Sequence, residues 1–504
     1  MADDVEVTGR PAHEQQVRGR QVRGHWAVTF AVLAVAVSAF TLLQSMVVPV
    51  LGLIAVEMDT DTSTATWVLT AYLLSASIFT PLLGRIGDVV GKQKMLVVTM
   101  GALTAGSVLA ALATDIHVLI LARVLQGAGG GVLPLSFGII RDEFPGRSRA
   151  TALSVIASLA SVGFGVGIVI AGPIVDALGY HWLFWLPGIA TAIAALATAL
   201  LVPESPVQER TRLPLGPAVL LAGWLVPLLL AVSRGNEWGW GSPLVVGLLV
   251  AAAVLVVTWV VVESRVAVPM VDMVMMRRRG VWTTNLVGAF VGFGMFSSFG
   301  FLPQFLQTPD GAGYGFGASI TESGRILLPS AVMSFLVGFV TAYLVRRVGA
   351  RVVIVTGTLL SAVAFASIAT WHDEVWQIVA AMTVQGLGSG LVFASIAGVV
   401  IASVPASQTG VASGMNANIR TIGGSIGSAV MAGIVTAHVG AGGLPSVDGY
   451  VIGFALLAGG MVLAALAACA IPDLRTPGER RRTTPVASSQ PAAPVLAPGS
   501  SVGA

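Results

Sequence analysis

Two arginines lie where lipid should surround them. Arg123 falls about six residues inside the apolar stretch His117 to Ile140, roughly 9 Å deep by helical rise. Arg420 lies about ten residues into the stretch Gly410 to Val439, near the level of a bilayer midplane. An arginine at the centre of a spanning helix costs on the order of 2.5–3.5 kcal/mol on insertion scales, so it faces a cavity or a partner, or snorkels to an interface. For Arg123 both outcomes stay open. For Arg420, the preceding Asn416 and Asn418 could satisfy some donors; a structural clamp and a contact with a bound molecule are equal alternatives, with the side chain expected toward a central cavity. A third group is the loop GRIGDVVGKQK, Gly84 to Lys94. There Gly84 and Gly87 allow close helix approach, Asp88 can cap a helix or pair with a cation, and Lys92 and Lys94 are expected to face the cytosol. No Asp or Glu falls near the middle of an apolar stretch; the nearest are Asp176, Glu263 and Asp88. A proton-carrying carboxylate needs a pKa raised by burial, and none is nominated. Enzyme chemistry has no foothold: Gly423 to Gly427 fits G-x-S-x-G but sits mid-helix, no H-E-x-x-H appears, and the single Cys469 excludes an intrachain disulfide or a multi-cysteine metal site. Catalytic residues, a metal and a cofactor are therefore all expected to be absent.

These residues must be positioned by membrane helices. With 55% hydrophobic and 10% charged residues and a mean hydropathy of +0.87, the chain is unlike a soluble protein, in which about a quarter is charged. Crossing roughly 30 Å of hydrocarbon takes about 20 apolar residues, and fourteen segments qualify: 26–53, 66–83, 95–113, 117–140, 151–175, 182–202, 213–232, 243–262, 281–305, 326–345, 352–370, 375–401, 410–439 and 450–471. Nearly all of the 27 Lys and Arg residues fall in the tails and in every second connection, including Arg85, Lys92, Lys94, Arg141, Arg149, Arg265, Arg277 to Arg279, Arg346, Arg347 and Arg351. The opposite loops carry Glu57, Asp59, Asp61, Asp115, Asp373 and Glu374, with only Arg234 and Arg325 basic. The positive-inside rule then puts both termini in the cytoplasm. A net charge of +3 spread over short loops offers no nucleic-acid surface.

An internal repeat organises the spans. QGAGGG at Gln126 to Gly131 recurs as QGLGSG at Gln385 to Gly390, 259 positions on; Gly91 matches Gly349, and Gly163 and Gly167 match Gly423 and Gly427 at nearly the same offset. The expected architecture is an all-α polytopic protein: a cytoplasmic tail (1–25), a six-helix bundle (26–203), a linker with two extra spans (204–280), a second bundle in the same orientation (281–471), and a disordered cytoplasmic tail (472–504). Parallel repeats of this kind place a substrate site between the halves and move it by rocking.

The Gly84 to Lys94 loop resembles motif A of the major facilitator superfamily. TWVLTAYLLS (Thr66 to Ser75), LARVLQGAGGG (Leu121 to Gly131), YHWLFWLP (Tyr180 to Pro187) and SGMNANIRTIGGSIG (Ser413 to Gly427) are similar to its drug:proton antiporter branch with fourteen spans. The resemblance implies the major facilitator fold and a proton-driven exporter of small hydrophobic compounds in the plasma membrane, working as a monomer in the bilayer with protons as co-substrate. It implies a cytoplasmic gate at Gly84, Asp88, Gly91 and Lys92, and proton coupling through Arg123 and Gln126. A substrate cavity at Gln44, Trp67, Tyr72, Asn416 and Arg420 and a flexible fifth span at Gly163, Gly167, Gly172 and Pro173 complete the expected site.

Two departures stand out. Gln44 occupies the place of the branch's first-span aspartate, and the fifth span has Gly167-Ile168 and Ala171-Gly172, with proline moved to Pro173, instead of a Gly-Pro pair followed by Gly-Gly. Without a central acid, Arg123 and Arg420 suit neutral or anionic amphiphiles, although Trp67, Tyr72, Phe290 and Phe293 could hold a cation by their faces. Competing readings are a metabolite or lipid transporter without proton coupling, and a membrane sensor or scaffold.

Overall fold

The computed structural model describes residues 12–472, except 61, 205–214, 267–268, 310, 312, 406–407 and 439–444, and gives no side chains over 12–25 or at 62–63, 66, 146–147, 161 and 215. The tail expected after Pro472 and the linker arginines Arg210 and Arg212 lie outside the described residues. Among those residues, fourteen helices are long and apolar enough to cross a membrane.

The first span is α1 (Ala12–Met46), a 3-10 turn at Val48–Val50 around Pro49, and α2 (Leu51–Glu57). The helix begins well before the expected start at Trp26 because Gln and Arg, both good helix formers, fill the preceding segment. Then come α3 (Thr62–Val90), α4 (Lys92–Ala111), and a fourth span made of α5 (Ile116–Gln126), a 3-10 stretch at Gly127–Gly131 and α6 (Val132–Glu143). The first half closes with α7 (Gly146–Leu178) and α8 (Trp182–Leu201). Two added spans follow, α9 (Leu215–Trp238) and α10 (Pro243–Arg265), then the short α11 (Met273–Met276). The second half is α12 (Arg279–Gln307), α13 (Ile320–Val348), α14 (Ala350–Thr370), α15 (Val375–Ala402), α16 (Thr409–Ala437) and α17 (Val447–Cys469). One expectation is corrected here: Arg234 is no loop residue, because α9 continues past Val232 and buries it.

The two halves repeat one packing scheme. In the first, α1 packs on α7 and α8, α4 on α8 and α5, and α3 on α5; in the second, α12 packs on α16 and α17, α14 on α17 and α15, and α13 on α15. Replacing each helix by its counterpart converts one set into the other. The contacts between halves obey the same exchange: α3 meets α16 as α13 meets α7, and α6 meets α16 as α15 meets α7. The repeated glycines make these approaches possible. Gly91 and Gly349 end α3 and α13 with φ of 123° and 90°, a region that penalises a Cβ. Gly127 lies against Ser75, and its repeat partner Gly386 against Ser330.

Apolar burial forms two large clusters, one centred on each half, with Phe164 and Ile168 of α7 joining the second and Ile401 of α15 the first. Leu221, Trp224, Leu225 and Trp259 from the added spans join the second. α10 carries apolar side chains all round, leaves Leu244, Val250, Val254 and Val257 exposed, and is the outermost helix of the pair.

Candidate functional site

At the motif-like loop, helix geometry buries charge between the halves. Asp88 and Lys92 are one turn apart across the α3–α4 junction, and both are fully buried. Lys92 Nζ lies 2.7 Å from Asp142 Oδ2 on α6 and 3.6 Å from Asp88 Oδ1. Asp88 Oδ2 accepts a hydrogen bond from the Val411 backbone amide of α16 at 3.4 Å. Arg141 on α6 reaches the same helix junction, donating to Thr409 Oγ1 at 2.6 Å and to the Val404 carbonyl at 2.7 Å. Gly84 and Gly410 face each other so closely that a Cβ on either would lie 2.6 Å from the other's carbonyl oxygen. Two expectations are corrected. Lys92 does not face the cytosol, because two carboxylates hold it inside, and Asp88 does not cap α4, whose N-cap is Gly91 with no side-chain bond. Sequence reasoning missed Arg141 and Asp142, since a charge at a helix end gives no sign of the partner across the interface.

Between the halves lie two small cavities. The upper, about 70 Å³, is bounded by Gln44, Tyr72, Phe164, Phe296, Phe393 and Arg420, among others; the lower, about 30 Å³, by Pro134, Phe137, Ser413, Asn416 and again Phe393 and Arg420. No Asp or Glu lines either. Arg420 thus sits at the partition, its guanidinium carbon 4.9 Å from the Phe393 ring centroid, and no carboxylate among the described residues pairs with it. Asn416 does not serve it; its amide donates to Asn285 Oδ1 at 2.9 Å on α12. Asn418 is buried with both amide atoms unpartnered. Of the residues expected in the cavity, the structure brings together Gln44, Tyr72 and Arg420 in the upper chamber and puts Asn416 in the lower. Trp67 lies elsewhere, under Arg234 at 4.5 Å, and Phe290 and Phe293 line neither chamber.

Arg123 is fully buried and does not snorkel. Its Nε donates to the Val68 carbonyl at 3.1 Å, Nη1 donates to Gln126 Oε1 at 2.8 Å, and its guanidinium stacks 4.3 Å from the Tyr72 ring centroid. Gln126 passes the chain on to Ser107 Oγ at 3.2 Å. Arg123 Nη2 and the Tyr72 hydroxyl have no partner. The glycines of α7 point two ways: Gly163 and Gly167 admit Thr41 and Ser45 of α1, while Gly165 and Gly172 admit Ala331 and Thr321 of α13. α7 runs unbroken through Pro173.

A second polar cluster lies at the far end of the α3–α16 seam. Arg234 of α9 pairs with Glu237 and covers Trp67 of α3, and Asn236 Nδ2 donates to the Ala429 carbonyl of α16 at 2.9 Å.

Paired bundles, a buried charge cluster between them and a chamber at their interface are the architecture of a membrane transporter, and the chain belongs to the Major Facilitator Superfamily. The family's model matches residues 33–320 and again 284–498. The multidrug transporter protein MdtP of Bacillus subtilis is 30% identical over 75% of this chain and 70% of its own. The tetracenomycin C resistance and export protein of Streptomyces glaucescens is 25% identical over 81% and 76%, and the puromycin resistance protein pur8 of Streptomyces alboniger 28% identical over 98% and 100%. In fold, the chain is similar to the human organic anion transporter TETRAN, with a TM-score of 0.64 over 89% of this chain and 99% of that one at 16% identity.

Proposed function

We propose that this transporter exports hydrophobic, drug-like compounds by alternating access, with inward proton movement as the driving force. The observation that carries the reading is the aromatic chamber at the interface of the two halves, with Arg420 in its wall. Relatives named for export of, or resistance to, tetracenomycin C and puromycin support the substrate type. A chamber of about 70 Å³ is far below the roughly 300–1,000 Å³ of drug-sized sites, so the halves must separate to admit substrate. The Asp88, Lys92 and Arg141 contacts form the gate to be broken in the loop-side half of the cycle, and the Tyr72, Arg123 and Gln126 chain beside the chamber is the candidate proton path.

In this reading the chain sits in the plasma membrane with both termini cytoplasmic, the halves span 26–203 and 281–471, and 204–280 links them. Gly91 permits the loop turn, and the glycines of α7 with Pro173 let that helix slide. The test is a pH jump imposed on proteoliposomes loaded with a fluorescent amphiphile: accumulation that follows the gradient supports antiport. Dye movement that ignores the gradient favours the second reading, uncoupled transport, for which Gln44 and the acid-free chamber speak.

A further inference from the structure

We infer that the chamber selects amphiphiles bearing an anionic group, which docks on Arg420; the inference rests on the chamber being the transport site. A guanidinium presents five donors in a planar fork suited to carboxylate, sulfonate or phosphate oxygens. In proteins a buried guanidinium is ordinarily matched by an acid or by carbonyls. Arg420, partly exposed to the chamber, has neither: its guanidinium lies over the face of Phe393, and it stands on the wall common to both chambers.

The surroundings leave the charge uncompensated. The polar groups sharing the upper chamber with it are Thr41, Gln44, Tyr72, Thr80 and Thr421, all neutral. Directly behind Tyr72 stands a second cation, the fully buried Arg123, with one guanidinium nitrogen and the tyrosine hydroxyl still unpartnered. The field in the chamber is therefore positive from two sides, while Phe40, Phe164, Phe296 and Phe393 supply apolar contact. A cationic amphiphile would meet two like charges and no counter-charge. An anionic one would accept from the Arg420 guanidinium and keep its rings against the phenylalanines. An anion leaving the cell also moves down an inside-negative potential, so its export needs less from a proton carrier.

The test uses two dyes of one scaffold, anilinonaphthalene sulfonate and its uncharged parent phenylnaphthylamine, with ethidium as the cation, bound to the full chain in detergent and read by fluorescence titration. Wild type should bind the sulfonate at least tenfold tighter than ethidium. Arg420→Gln should weaken the sulfonate roughly tenfold to a hundredfold and the uncharged parent less than about threefold, with Arg420→Lys between wild type and Arg420→Gln for the sulfonate. The uncharged dye reports whether each variant is folded. Equal loss of sulfonate and parent, unchanged sulfonate binding in Arg420→Gln, or preference for ethidium overturns the inference. Because this is equilibrium binding without a gradient, it stands or falls apart from the proton-antiport reading. If the sulfonate binds through Arg420 but proteoliposomes never move it, the transport proposal fails and the site remains.

Discussion

The carboxylate of Asp88 belongs to one half of the molecule and the Val411 amide it accepts from belongs to the other, 3.4 Å away, with Lys92 as the counter-charge on the near side. One acid thereby ties the α3–α4 turn to the first turn of α16. Asp88→Asn keeps the shape but leaves Lys92 with Asp142 alone, and should cost about 1–3 kcal/mol of stability. A thermal melt in detergent reads the loss, and vesicle transport should fall at least tenfold; unchanged values in both would remove Asp88 from the gate.

Gly84 and Gly410 approach backbone to backbone, so Gly84→Ala has no side chain that can yield. The halves should be wedged apart at this end, and a reporter thiol placed in the α3–α16 seam should react faster in the variant than in wild type. Equal rates would mean that the helices absorb the methyl without opening. Gly91→Ala acts differently: at φ 123° it strains the turn itself and presses its methyl against the Glu204 carboxylate, and should lower stability by about 1–3 kcal/mol, with a smaller change in thiol reactivity.

Arg123→Gln removes the stack on Tyr72 and the bond to Gln126, and Arg123 itself does not line the chamber. Gradient-driven uptake should be lost while exchange of an uncharged substrate across equilibrated vesicles persists. Loss of both together would make Arg123 a structural support and not a coupling group.

Arg234, Glu237 and Asn236 predict a purely mechanical effect. Asn236→Leu deletes the donor to the Ala429 carbonyl and should destabilise by about 0.5–1.5 kcal/mol, leaving dye binding intact. A defect in binding with an unaltered melt would contradict that assignment.

Much of the fold was readable because lipid imposes long apolar runs, and because Gly91 with Gly349 and Gln126 with Gln385 recur at nearly the same spacing. Arg420 was legible as a cavity residue since an arginine ten residues inside a span has few other places to go. Pairings across elements were not. Trp67 sits in the same motif-like run as Tyr72, yet five positions turn its ring toward α9, and nothing in the run VSRGNEW reveals that Arg234 will be covered by it. Lys92 reads as a solvated loop cation because its partner Asp142 lies fifty residues away. Helix ends were similarly elusive: α9 continues through a charged turn whose Arg234 and Glu237 neutralise each other.

α9 is in contact with α3 of one half and α16 of the other, and holds both at its polar end. A helix gripped by two bodies cannot travel with both when they turn against each other. Any such motion must shear one of its faces. The first half's grip is the Trp67 ring under a guanidinium, a contact that can slide; the second is a hydrogen bond with a fixed address. The added helix should therefore ride with the C-terminal bundle and let the N-terminal one slip past it.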